Sequence, residues 1–430
     1  MADNKPVMSQ DNFKVDGGSA SNMPADFSSD ESALAYANAQ LDSFVEAMRY
    51  SLEKQIVGVQ LPPEDREINV HEALRHLLRN ISLAHAGHVE ADYANPTLTK
   101  MGGMNRIQFQ LQSCDCNYHM ALLHGDYRYR LKGYRGTAAV LQTTVFNGHS
   151  CDFVDGWKTI SNANNLITPQ YAPGNMIDVI LSREKPADLG DAVWLELPPG
   201  RCELHIRQYY ADWDKEEPAD FMLVNDGQVF PSALLDRETA ETRFKRLPDL
   251  LKVHANYYRA GIQAHIDADP HEIDEFKVPG AFEGTNYYYG HLECRPDEAV
   301  VIEIVPPDCN YWNVELTQLQ WEPGDWWSRL LSYNYTQVRT DSDGKVRFVA
   351  SWSDTGHPNW LDVSGRILHL IGFRFFQTTE TPVKPRLKTI KLADLASHIP
   401  GDTQKTSADK RQAIMRQRLE SVYRRRFSDF

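Results

Sequence analysis

Hydrophobic residues alternate with polar ones in two separate blocks of this chain, and no other feature constrains the fold as much. From about residue 100, YRYRLKGYRGTAAVLQTTVFNG alternates, turns at Lys132–Gly136 and alternates again. MIDVILS, VWLELP and RCELHIRQYY follow in the same style, with turn residues between them. The second block holds NYYYGHLE, AVVIEIVPPDCNYWNVELTQ, TQVRTDSDGKVRFVASW and RILHLIGFRFF. A period of two puts successive side chains on opposite faces of a strand, so each block predicts an antiparallel domain of short strands. The first run predicts a β-hairpin, and Ser342-Asp343-Gly344 predicts a tight hairpin turn.

Outside these blocks the period is helical. Ser28 with Glu31 reads as a capping box, followed by Leu34, Ala37, Leu41, Val45, Met48 and Leu52 at helical spacing. A second helix is expected from near Asn69 through Leu74, Leu77, Leu78 and Ile81, with Gly87 as its stop. PSALLDRETAETRFKRLPDLLKVHANYYRAGIQAHI predicts two helices broken at Pro248. The expected organisation is a disordered N-terminus over 1–27, a helical segment over 28–95 and an N-terminal β-sandwich over 96–230. A helical linker over 231–275, a C-terminal β-sandwich over 276–400 and a basic C-terminal helix over 401–430 complete it.

Charge and composition narrow the function. The net charge of -14 argues against nucleic acid as a partner, because a phosphate backbone calls for clustered Lys and Arg. No apolar run approaches the roughly 20 residues of a membrane helix, and the polar start lacks the apolar core of a signal peptide. The expectation is a cytoplasmic protein that binds a small molecule, with no nucleic-acid or membrane partner and with homo-oligomerisation left open. The six cysteines are too few and scattered for a disulfide framework and read as reduced structural thiols. Two of them sit in a repeated tetrapeptide, Asp-Cys-Asn-Tyr, at Asp115–Tyr118 and Asp308–Tyr311, each at the mouth of an alternating run.

PPDCNYWNVELTQLQW, DSDGKVRFVASWSDTGHPNWLDVSG and GFRF together resemble a mostly bacterial family whose C-terminal part is domain of unknown function 1214, often paired with domain of unknown function 1254. Tyr311, Trp312, Asp341, Asp343, Gly344, Asp354, Gly356, Pro358, Asn359, Trp360, Leu361, Asp362, Gly365 and Arg374 fit the pattern, and Thr355 replaces its proline. In the first block Asn117, Asp126, Tyr127, Tyr129, Arg130, Gly133, Arg135, Gly136 and Thr137 match, and further on Arg207, Gln208 and Pro218. The resemblance implies a mainly β fold with added helices: an Ig-like antiparallel β-sandwich, then a jelly-roll-like one. It implies little about activity.

The candidate chemistry gathers in three places. SDTGHPNWLD packs Asp354, His357, Asn359 and Asp362 around Trp360 in a Gly- and Pro-containing loop, where an Asp–His pair can do acid/base work. The plainer reading is a rigid turn with Asn359 capping amides and Trp360 plugging the sandwich. NYYYGHLE puts Tyr287, Tyr289, His291 and Glu293 on alternate positions of one strand, either an acid/base lining or a half-exposed aromatic strand. Arg374, Arg207 and Arg130 suit an anionic substrate if they converge and ordinary strand surface if they do not. The aromatic run from Trp321 to Tyr335, with Trp326, Trp327 and Tyr333, and Trp312 before it, can stack on a ligand or form a contact surface. His85, His88 and Glu90 have metal-ligand spacing, but Gly87 between them argues for a helix end.

No P-loop, dinucleotide fingerprint, GxSxG elbow or HExxH is present. The reading is an enzyme without cofactor or metal, using acid/base side chains on a medium-sized, partly apolar organic molecule, as lyase, hydratase, isomerase or hydrolase. Asp354, His357, Tyr289 and His291 are its candidate catalytic residues. Trp312, Trp326, Tyr333, Asn359, Trp360, Arg374 and Arg207 are its candidate substrate-binding residues. The alternative is a carbohydrate-binding or other ligand-binding β-sandwich without catalysis. A purely structural oligomer, with the C-terminal helix as its assembly arm, is a third reading.

Overall fold

The structure, a computed structural model, describes residues 27–101, 107–150, 159–164, 172–276 and 284–427. Cys151 lies outside them, as does nearly all of the N-terminal segment expected to be disordered.

Two helices open the described chain, α1 (Asp30–Ile56) and α2 (Arg66–Ala84). Ser29 caps α1 rather than Ser28, and its partner is Ser32 rather than Glu31: the Ser29 hydroxyl accepts from the Ser32 amide at 3.1 Å. The Ser29 amide donates in turn to the Ser32 hydroxyl at 3.2 Å. α2 starts three residues before Asn69, because a turn at Pro63–Asp65 feeds straight into it. The Asp65 carboxylate then accepts from the amides of Ile367 and Leu368, both at 2.8 Å, and pins the helix start to the second β block. Gly87 does not stop the helix. A wider turn continues through His85–Val89, and a Cβ at Gly87 would stand 3.0 Å from the Met120 sulfur. Glycine there lets the helix end approach the sheet and carries His88 onto it.

The first sandwich has two sheets. One orders β1 (Thr99–Met101), β2 (Cys116–His124), β8 (Arg201–Tyr209), β4 (Val140–Asn147) and β5 (Thr159–Asn164) side by side. The other orders β7 (Val193–Glu196), β6 (Met176–Ser182), β3 (Tyr129–Tyr134) and β9 (Asp220–Asn225). The expected hairpin between β3 and β4 does not form, since the two strands lie in opposite sheets. Residues 135–139 carry the chain across. Buried Arg135 donates to the Ala138 carbonyl, and Gly136 takes φ 71° where a Cβ would stand 2.5 Å from the Glu217 carbonyl oxygen.

α3 (Arg237–Ile266) joins the two sandwiches as one continuous helix, where a break at Pro248 was expected. Proline removes one internal hydrogen bond, and the buried flanks Leu247, Leu250 and Leu251 packing on α1 and α2 offset that loss. Near its end Gly261 lies flat against Trp321, where a Cβ would come within 2.2 Å of the indole.

The second sandwich orders β10 (Ile273–Glu275), β11 (Thr285–Glu293), β17 (Leu368–Phe376), β13 (Tyr311–Thr317) and β14 (Ser332–Asn334) in one sheet. The other holds β16 (Trp360–Asp362), β15 (Val346–Ser351), β12 (Glu298–Ile304) and β18 (Arg386–Lys391). Strand for strand this is the order of the first sandwich, and each unit has one parallel pair at the same place, β6 with β7 and β15 with β16. The turn at Ser342–Gly344 forms, with the Asp341 amide donating to the Lys345 carbonyl at 2.8 Å, but β15 pairs with β12 and β16 rather than with the segment before the turn. The two Asp-Cys-Asn-Tyr stretches run into β2 and β13, which are not equivalent strands. The repeated topology and the repeated tetrapeptide are therefore separate facts.

The C-terminal helix α4 (Ala408–Val422) folds back over the junction of the sandwiches. Arg418 and Arg425 lie over the Trp213 ring at 4.3 Å and 4.4 Å from its centroid. Arg418 donates to the Ser332 carbonyl, on the second sandwich, and Arg425 to the Cys114 carbonyl, on the first. No helix among the described residues is long and apolar enough to cross a membrane.

Candidate functional site

The larger sheet of the first sandwich turns one face to its own core and the other to the helices and the second sandwich. Register defines that outer face in rows across β2, β8 and β4. Tyr118, Arg207 and Gln142 form one, then Met120, His205 and Thr144, then Leu122, Glu203 and Phe146. Most of these side chains are buried, but Arg207 and His205 are half-buried, as are Tyr287 on β11 and His254 on α3. Arg207 acts electrostatically on Tyr287, and Glu203 and His88 act on His254, so the four stand around one partly exposed recess between the sheet, α3 and the second sandwich.

At one end of the recess stands a carboxylate. Glu203 is 1% exposed and accepts from the Ser150 amide at 2.7 Å and the Ser150 hydroxyl at 3.0 Å. His205 Nε2 lies 2.5 Å from its other oxygen, and Arg207 donates to His205 Nδ1 at 3.4 Å. A guanidinium only donates, so Nδ1 is the acceptor and the neutral ring carries its proton on Nε2, pointed at Glu203. Burial opposes ionisation of Glu203, but His205, His88 and the Ser150 amide outweigh it and hold the carboxyl down at about 2. Burial lowers His205 against the pull of Glu203. Burial likewise takes His88 down to about 4, and His149 and His254 to about 3. The recess thus presents an ionised carboxylate among neutral imidazoles. The Nδ1 atoms of His88 and His254 have no partner among the described residues.

The second sandwich shows the same face. Its equivalent rows are Tyr287, Arg374 and Asn313, then Tyr289, Gly372 and Glu315. Both units therefore place a tyrosine, an arginine and an amide side by side. Their arginines differ in surroundings. Arg374 is 3% exposed and lies 2.7 Å from Glu315, with its other nitrogen donating to the Leu111 carbonyl at 3.0 Å. At the position of Glu315 the first unit has Thr144, and no described carboxylate lies within 4.0 Å of Arg207. Among the described residues Arg207 meets the His205 ring, the Phe146 ring at 6.0 Å and the field of the Tyr287 hydroxyl.

The other predicted residues stand elsewhere. Tyr289 is buried against Phe276 and Trp321, its hydroxyl raised by burial, with Arg374 at 6.0 Å from the ring. His291 faces the end of α3 and bonds the His265 carbonyl at 2.7 Å. Asp354 grips Arg411 of α4 at 2.8 Å, and the His357 carbonyl accepts from the same guanidinium at 2.6 Å. The His357 ring is 2% exposed, is lowered by burial to about 4, and its Nδ1 accepts from the Asn359 amide. Asn359 bonds the Arg339 amide at 2.7 Å and the carbonyls of Arg339 and Arg347 at 2.8 Å. Trp360 donates to the Ser351 hydroxyl, under Arg411. Trp312 and Trp326 are 5% and 1% exposed and belong to the second core. Tyr333 donates to the Trp360 carbonyl at 3.0 Å. Arg374 pairs with Glu315, on the neighbouring strand β13. Asp362 is bound by Arg329, and Arg130 pairs with Asp178 at the surface.

So the loop from Asp354 to Asp362 is assembled into a lock for α4, beside a cleft of about 360 Å³ lined by Trp213, Tyr333, Pro358 and Arg418. A second cleft, of about 210 Å³, lies between α2 and the second sandwich, and its charges are paired as Arg75–Asp325, Arg329–Asp362 and Arg366–Glu72. Tyr289, Arg374 and Arg207 do come together, through Tyr287. Glu203, His205, Ser150 and His254 are absent from the sequence reading, which weighed His88 only as a metal ligand beside His85 and Glu90. The signal was available in ELHIR, where Glu203, His205 and Arg207 alternate on one face. No described group of His, Cys, Asp and Glu is arranged to hold a metal, and His85 and His88 point apart, one exposed and one buried.

Fold and recess define a protein of two like β-sandwiches with a polar recess walled between them and helices. A crystal structure of an uncharacterised protein from Burkholderia cenocepacia is similar to it, with a TM-score of 0.75 and 23% identity over 83% of this chain and 98% of that one. A protein of Vibrio parahaemolyticus aligns at a TM-score of 0.43 and 11% identity over 82% of this chain and all of its own. The first likeness shows the fold alone. No family model matches the chain, and no curated protein matches it.

Proposed function

We propose that the protein is a cofactor-independent acid/base enzyme of the cytoplasm, a member of the family it resembles, acting in this recess on a medium-sized, partly apolar organic molecule. The observation that carries the reading is His205, neutral, oriented through Nε2 by an ionised Glu203, with its Nδ1 accepting from Arg207. When Arg207 turns from Nδ1 to a bound molecule, Nδ1 becomes a base, and Glu203 stabilises the imidazolium that forms. Proton abstraction, the first step of a lyase, hydratase or isomerase, is the chemistry that this supports. His205 is the catalytic residue and Glu203 its positioning residue. Met120, Leu122 and Phe146 lie buried on the same face and set an apolar surround for the pair.

Turnover is to be sought by mass spectrometry on a panel of aryl and alkyl organic compounds. His205→Gln is then expected to lower kcat at least about 100-fold, and Glu203→Gln to lower kcat and move the acid limb of the pH profile. Unchanged turnover in His205→Gln would sink the proposal. A second reading, hydrolysis, has support in the Ser150 hydroxyl, 3.4 Å from His88 Nε2. Labelling by a fluorophosphonate that Ser150→Ala abolishes would favour it.

A further inference from the structure

We infer that Arg207 is a carboxylate-binding residue, so that the substrate is an organic acid whose carboxylate takes, in the first unit, the place that Glu315 holds in the second. The inference rests on the recess being the site and names what enters it.

It follows from comparing two faces of one topology. In each, an arginine on the central strand is flanked by a tyrosine and an amide, Tyr118 and Gln142 beside Arg207, Tyr287 and Asn313 beside Arg374. In the second unit the next residue on that face of β13 is Glu315. Its carboxylate neutralises Arg374 from within the chain. In the first unit that residue of β4 is Thr144, whose hydroxyl has no partner among the described residues. Arg207, only partly exposed, is left without a carboxylate partner among the described residues. A cation held that way is costly unless an anion joins it. Glu203 does not serve, because His205 and Ser150 occupy both of its oxygens.

The guanidinium fork fits a planar carboxylate in two parallel hydrogen bonds. With one arginine and an amide on that row, the site suits a monoanion better than a phosphate dianion.

The test uses the full chain with benzoate, phenylacetate, their neutral amides and inorganic phosphate, by thermal shift and calorimetry. At least one acid is expected to bind, its amide to bind at least tenfold more weakly, and Arg207→Gln to lose acid binding while melting near wild type. Arg207→Lys should keep the charge but lose the fork, and bind with intermediate affinity. Equal binding of acid and amide, equal binding by Arg207→Gln, binding of phosphate alone, or no binding of either acid at millimolar concentration would each overturn the inference. Glu203→Gln should still bind the acid. Loss of turnover in His205→Gln without any Arg207-dependent acid binding would leave the enzyme reading standing and remove only this one.

Discussion

Tyr311 donates its phenolic proton to Asp115 at 2.5 Å, so that the last residue of one Asp-Cys-Asn-Tyr stretch bonds the first residue of the other across the junction of the sandwiches. Asp115 is fully buried and also accepts from Trp213 at 2.6 Å, Asn334 at 2.9 Å and Asn313 at 3.0 Å. A buried carboxylate held by neutral donors welds the units only while all of them remain. Tyr311→Phe is expected to cost about 1.5–3 kcal/mol, the worth of a hydrogen bond to a charged group. Asp115→Ala, which strands four donors, should cost more. Urea unfolding of the two variants checks the order.

The two arginines should respond oppositely. Arg374→Ala leaves Glu315 buried and uncompensated, and about 3–5 kcal/mol of stability should go. Arg207→Ala removes a cation with no carboxylate partner, and stability should change by less than about 1 kcal/mol. Equal losses in chemical denaturation would contradict the comparison of the two faces.

Acid should destabilise the protein well before its carboxylates titrate. His88, lowered by burial to about 4, and His149 and His254, lowered to about 3, resist protonation when folded but not when unfolded. The unfolded chain therefore binds more protons below about pH 6.5, and stability rises with pH through that window. It is fully present above 6.5 and falls by up to about 1.4 kcal/mol per pH unit for each such histidine as pH drops toward the folded values. Glu203, held down at about 2, adds a second loss below about pH 4.3. Melting temperature measured from pH 8 to 4 should decline from 6.5 downward, less steeply in His254→Gln.

The C-terminal helix acts within its own chain. Removing residues 405–430 takes away Arg418 and Arg425, which stack on Trp213 and bond the two sandwiches. The deletion should lower the melting temperature and divide one calorimetric transition into two. A single transition at the wild-type temperature would refute the strap.

Glycine at position 372 is a packing requirement. A Cβ there would meet the Tyr289 ring at 2.4 Å, and Gly372→Ala should cost about 1–3 kcal/mol in overpacking. Denaturant titration reads it directly.

Period alone made the two β blocks, the helical opening and the helical linker legible, because alternation and helical spacing are local properties. Arg374 and Arg207 were also legible as charges that needed an explanation. Local signals were read wrongly where distant packing decides. Pro248 ends a helix only if nothing compensates for its lost bond, and Leu247, Leu250 and Leu251 do so here. Lys132–Gly136 has the composition of a hairpin turn, yet β3 and β4 part to opposite sheets, because β3 pairs with β6 and β9 and β4 with β8, all more than forty residues on. Asp354 and His357 have the composition of an acid/base pair, and Arg411, more than fifty residues later, engages both.

The sequence by itself determined which residues could share a strand face, and so that Glu203, His205 and Arg207 would stand in line. Tertiary structure alone decided that this face would be walled by α3 and the second sandwich, that Glu315 would neutralise Arg374, and that Arg207 would have no such partner among the described residues. The reason is physical: alternation is set by backbone geometry within a few residues, while the cost and pairing of a charge depend on what the rest of the chain brings against it.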